Sequence, residues 1–121
     1  MARIRSDFWV GAWLRRCAGE GIEAVLRRRG AAEAGAIFVQ LDRLDGRQTL
    51  FGPAPQALVA AHEADLPPAR LFQPVLVDVD GLAIADRMRR ELAFDPDLWW
   101  LAVDDRAGRT LLDLATDETS S

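Results

Sequence analysis

Residues 98–104 read Leu-Trp-Trp-Leu-Ala-Val-Asp, and no other stretch of the chain restricts the fold as tightly. A short apolar run bounded by Asp-Pro-Asp before it and Asp-Arg-Ala-Gly after it reads as a β-strand. Alternate residues of a strand face opposite sides. One side then carries Leu98, Trp100 and Ala102, and the other Trp99, Leu101 and Val103. Both sides are apolar, so either both are covered by other elements or one is an interface. Core burial is the simpler account, because Trp is rarely left in water. Trp is also enriched at interface hot spots, which makes Trp99, Leu101 and Val103 a candidate interaction surface.

The rest of the chain supplies elements to place around this strand. Ser6-Asp7 looks like a helix start, with a capping side chain and an acid in the first turn. Trp9, Trp13 and Cys17 recur every four residues with Val10 and Leu14 beside them, one apolar stripe that Gly19 and Gly21 terminate. Residues 22–29 fit a strand or a short helix, and the strand is favoured. Residues 30–35, Gly-Ala-Ala-Glu-Ala-Gly, are a connector. Residues 36–43 form a strand, Asp45-Gly46 a tight hairpin turn in which both positions tolerate positive φ, and residues 48–51 the return. A short helix could follow over 56–64, and Leu66-Pro67-Pro68 reads as a stiff linker inside the domain. Residues 71–77 form a strand in which Pro74 demands an edge or a bulge. A second helix is expected over about 80–93, starting from Asp78 or Asp80, with Leu82, Ala85, Met88 and Leu92 as its buried stripe. After the strand at 98–104, residues 105–108 read as a hairpin loop and 109–114 as the returning strand. The expected fold is α+β: a mainly antiparallel sheet of about five or six strands with two principal helices packed on it. Residues 1–115 form a single domain and 116–121 a loose tail on this reading.

Composition narrows the function classes. Half of the 121 residues are apolar and 28% are charged, a globular balance. All fifteen basic residues are arginines, and Lys, Asn and Tyr are absent. Those three use A- and T-rich codons, so genomic bias explains the arginines before anion recognition does. Residues 1–30 hold seven arginines against three acids, and the remainder eight against sixteen. Pairing of the two parts on folding is favoured over a basic patch meeting an acidic partner. The net charge of −4 argues against general nucleic-acid binding. No apolar run approaches the ~20 residues of a membrane span, and no signal-like segment precedes Arg15. A cytoplasmic protein is expected, and the lone Cys17 suits a reducing compartment.

Chemistry-bearing motifs are sparse. Val-Leu-Val-Asp-Val-Asp-Gly at 75–81 looks like the first motif of haloacid-dehalogenase-type phosphotransferases. That family needs a Lys that this chain lacks, and only about forty residues follow the motif, too few for the rest of that fold. A helix cap explains these residues better. One His and one Cys make no zinc pattern, and the carboxylate pairs sit where turns select Asp. Cys17 lies on an apolar stripe, so a Cys17–His62 dyad is disfavoured. No cofactor and no metal are expected. Arg27, Arg28 and Arg29 are the candidate anion-binding residues, although neither a strand nor a helix gathers them into one cradle.

In order along nearly the whole chain, Ser6–Cys17, Arg28–Gln40, Leu50–Gln56 and Phe94–Leu114 resemble a bacterial family of uncharacterised proteins, domain of unknown function 1491. The resemblance implies one intact domain of bacterial, cytoplasmic origin, and it carries no activity, cofactor or catalytic residues. Two functional readings follow from the residues. The first is a non-enzymatic protein that associates with itself, as a homodimer, or with an unidentified protein partner through the Trp99 side. The second is a small-molecule or anion-binding module, or a minor enzyme, using the arginine cluster.

Overall fold

The computed structural model describes residues 4–55 and 70–115. Among these, the elements run α1 (Ser6–Gly19), β1 (Glu23–Arg28), β2 (Ile37–Asp42), β3 (Gln48–Pro53), β4 (Leu71–Val79), α2 (Gly81–Phe94), β5 (Trp99–Asp104) and β6 (Asp113–Leu114). The strands form one sheet in the order β1-β5-β2-β3-β4-β6. The two-sided apolar strand is β5, flanked by β1 and β2 with one helix on each face of the sheet. On one face, Val10, Trp13 and Cys17 of α1 pack on Val39, Leu41, Trp99, Leu101 and Val103. On the other, Ile84 and Met88 of α2 pack on Phe38, Leu50 and Leu98. β2 is buried along its length for the same reason.

The α+β class, the two helices and the six strands match expectation. The sheet is mixed rather than mainly antiparallel: β5 runs parallel to β2, and β6 parallel to β4. The expected return of residues 109–114 beside β5 does not form. Both edges of β5 are already taken by β1 and β2. Asp105 instead captures the backbone N–H and guanidinium of Arg109, and Trp13 donates its indole N–H to the Thr110 carbonyl at 2.8 Å. These bonds carry the chain along the α1 side to the far edge of the sheet, where β6 pairs with Leu71 and Phe72.

Three local expectations also change. Arg5 occupies the N-cap of α1 without a side-chain cap. The Ser6 hydroxyl is buried and donates to the Gly35 carbonyl at 2.7 Å, tying α1 to the connector. In the β2–β3 hairpin the left-handed residues are Leu44 (φ 63°) and Gly46 (φ 89°), not Asp45. The buried stripe of α2 is Ile84 and Met88 with Leu92 beside them, while Leu82 is 81% exposed. Both stripes keep helical spacing, and the sheet selects the one facing Phe38 and Leu50. Asp80 is the N-cap of α2, its carboxylate accepting from the Ala83 N–H at 2.9 Å. Pro74 sits beside a register shift opposite Phe51, the bulge its missing N–H requires. The expected helix at 56–64, the Pro67-Pro68 linker, His62 and the tail lie outside the described residues. No described helix is long and apolar enough to cross a membrane.

Candidate functional site: a polar cleft beside α2

The polar residues of the inner strands are not scattered. β2 places Gln40 and Asp42 on the α2 face, two residues apart as strand alternation requires. Parallel register sets Ala102 beside Gln40 and Asp104 beside Asp42. Antiparallel pairing adds Gln48 opposite Asp42 and Glu23 opposite Asp104. One row across four strands therefore reads Glu23, Asp104, Asp42, Gln48. α2 packs on β3 and β4, so this row is roofed at the β3 end and open toward β1.

Between the roofed and open parts lies a cleft of about 280 Å³. Ala102 and Trp100 lie at its base, Gly81 and Ala85 of α2 form one wall, and Arg27, Gln40, Gln48, Asp42 and Asp104 complete it. Gly81 matters sterically: a Cβ there would lie 3.1 Å from the Gln48 amide nitrogen. A chain of hydrogen bonds fixes the base. Trp100 donates its indole N–H to Gln40 Oε1 at 3.1 Å, and Gln40 Nε2 donates to Gln48 Oε1 at 2.6 Å. The buried Gln40 amide is thereby satisfied at both ends. The Arg27 guanidinium lies 4.7 Å above the Trp100 ring, a cation–π contact.

The carboxylates at the mouth are unbalanced. Neither Asp42 nor Asp104 forms an ion pair among the described residues. Asp42 accepts from the Leu44 N–H at 2.8 Å. Partial burial, then repulsion from Asp42 and Glu23, pushes the Asp104 carboxyl above its ordinary value, with Arg27 opposing. Its sequence neighbour Asp105 behaves oppositely, because hydrogen bonds from the Arg109 guanidinium and N–H hold its carboxyl below the usual range. No group of three or more His, Cys, Asp or Glu is arranged to hold a metal among the described residues. An uncompensated carboxylate pair beside an aromatic floor and fixed amides is chemically suited to hold an ammonium or guanidinium group.

The sequence candidates fall elsewhere. Trp99, Leu101 and Val103 are at most 1% exposed, sealed beneath α1, so they form no surface in the folded chain. Burial on that side leaves Trp100 as the partly exposed tryptophan of the pair. The three arginines separate. Arg27 stacks on Trp100, Arg29 lies 5.1 Å over Trp99 on the opposite face, and Arg28 donates to the Leu98 carbonyl at 3.3 Å. Only Arg27 lines the cleft. Cys17 is fully buried and burial pushes its thiol up, which makes it a packing group. From sequence, Asp104 enters only within the Asp104–Asp105 pair assigned to a turn, and Gln40, Asp42 and Gln48 only as strand positions. The available signal was a polar pair at alternating positions inside a strand that otherwise reads apolar.

Comparison with known proteins places this geometry in context. The family pattern described as "Protein of unknown function (DUF1491)" matches residues 4–113. A solution structure of an A. tumefaciens protein is 39% identical, covers 95% of this chain and 97% of its own, and superposes with a TM-score of 0.79. A crystal structure of a DUF1491 family protein from Caulobacter crescentus is 27% identical, covering 93% of this chain and 98% of its own, with a TM-score of 0.73. An NMR structure of a DUF1491 family protein from the same organism is 28% identical, covering 93% and 97%, with a TM-score of 0.72. No curated protein matches the chain.

Proposed function

The chain belongs to the DUF1491 family, whose function is unknown, and from that premise we propose that it is a binding protein whose cleft takes a small ligand through an amine or guanidinium group. The observation that carries this reading is Asp104, held between Asp42 and Glu23 with no ion pair among the described residues. A cation at the cleft mouth would relieve that repulsion, and the Gln40–Gln48 amides and Trp100 would align the rest of the ligand. Cys17, the one cysteine, is locked in the core, which disfavours thiol chemistry. The anion reading of the arginine triplet is weaker. One arginine of three reaches the cleft, its guanidinium already lies on Trp100, and carboxylates outnumber it there.

Thermal-shift and calorimetric titrations with putrescine and methylguanidine, set against inorganic phosphate, test the reading. The cationic probes raise the melting temperature at low salt, the effect weakens at physiological ionic strength, and it disappears in Asp42→Asn and Asp104→Asn. Stabilisation by phosphate but not by the amines would reverse the assignment in favour of Arg27 and an anion.

A further inference from the structure

We propose that the chain forms a homodimer by antiparallel pairing of β1 with β1 of a second copy, about a two-fold axis through Val25. β1 lies at the edge of the sheet, and among the described residues its backbone pairs with β5 alone. An unpaired edge is a template for another strand unless it is blunted. Here it is not covered: Val25 is 53% and Leu26 39% exposed, one on each face.

The sequence of this edge is complementary to itself. Centring the pair on Val25 sets Glu23 opposite the partner's Arg27, Val25 opposite the partner's Val25, and Ala24 opposite the partner's Leu26. Opposed residues share a face, so the two charge pairs flank the Val25 contact on the α2 face. The two Ala24–Leu26 contacts fall on the α1 face. Neither Glu23 nor Arg27 forms an ion pair among the described residues, and pairing across the axis draws the Arg27 guanidinium from the Trp100 ring toward the second copy's carboxylate. The register with β5 is regular over Glu23–Leu26 and slips between Leu26 and Arg28, so Arg27 stands at the bulge, outside the β5 ladder. Charge complementarity about a single central residue is what selects a second copy over an unrelated strand. The association shares Arg27 and Glu23 with the cleft and its charge row, so the crosslink at Val25, which does not line the cleft, tests the pairing separately from the binding reading.

Mass measured by light scattering over a concentration series, with two cysteine variants, decides the matter. The wild-type chain runs as a dimer at high concentration. Val25→Cys forms a disulfide-linked dimer on mild oxidation, because each Val25 faces its own copy, whereas Ala24→Cys does not. Cys17 is fully buried and stays out of the reaction. Glu23→Arg yields a monomer, and the exchange Glu23→Arg with Arg27→Glu restores the dimer. A wild-type chain that stays monomeric throughout, or one that crosslinks equally through Ala24→Cys and Val25→Cys, overturns the proposal.

Discussion

Asp104→Asn should make this protein more stable at neutral pH. Asp104 lies in register with Asp42 on one side and Glu23 on the other. Like charges directly opposite on neighbouring strands destabilise by roughly 0.2–1 kcal/mol per pair. With Asp104 exposed and Arg27 opposing, the combined penalty is about 0.5–1 kcal/mol. For a domain of this size that corresponds to a rise of about 2–5 °C in melting temperature. The pH dependence ties the effect to ionisation of this carboxyl, which desolvation and then the two neighbouring carboxylates oppose. The folded-state pKa of Asp104 lies above its unfolded value, so the folded chain holds that proton more tightly. Stability from this group falls as pH rises between the two values, and the penalty is complete above the folded pKa. Below the unfolded pKa the carboxyl is neutral in both states and Asn has no advantage. Thermal melts from acid to neutral pH on both proteins measure this directly. A variant no more stable than wild type at pH 7, or one whose gain persists undiminished in acid, refutes the reasoning. Asp105→Asn is the internal control with opposite sign. Its pKa is lowered in the fold, so its stabilisation is present above the unfolded pKa and lost as pH falls through the folded one.

Other substitutions separate the elements. Met88→Ala empties a fully buried position under α2 and should cost about 2–5 kcal/mol, while Leu82→Ala on the same helix should stay within about 0.5 kcal/mol; denaturant melts compare the two. Gly30→Ala drives a Cβ against the Asp97 and Leu98 backbone, with the Leu98 carbonyl carbon and oxygen both at 2.6 Å. Backbone cannot yield as a side-chain tip does, so a loss of about 1–3 kcal/mol is expected in the same assay. Asp80→Ala removes the N-cap bond of α2 and should lower stability by about 1 kcal/mol, with faster amide exchange confined to the first turn of that helix.

Much of the fold was legible in short-range pattern. The α1 stripe of Val10, Trp13 and Cys17, the β2–β3 hairpin, the capping Asp near 80 and the two-sided strand at 99–104 were all readable. Each depends on the spacing of residues within one element, and spacing of two or four is written directly in the chain. The Leu82 stripe was misread because Ile84–Met88 offers the same spacing, and only the partner surface chooses between them. The candidate site was largely illegible. Trp99 and Trp100 were recognised as facing opposite sides, but which side α1 would seal depended on how its stripe met the sheet.

The sequence by itself determined the first helix and its buried stripe, the β2–β3 hairpin and a strand that is apolar on both sides. Tertiary structure alone decided that β5 lies parallel to β2, that Asp105 and Arg109 turn the chain away before β6, and that Asp42, Asp104, Gln40 and Gln48 meet in one cleft. The physical reason is that strand neighbours are selected by competition for edges among segments distant in sequence. Asp42 and Asp104 come to stand side by side, like charge against like charge, only after that competition has set their register.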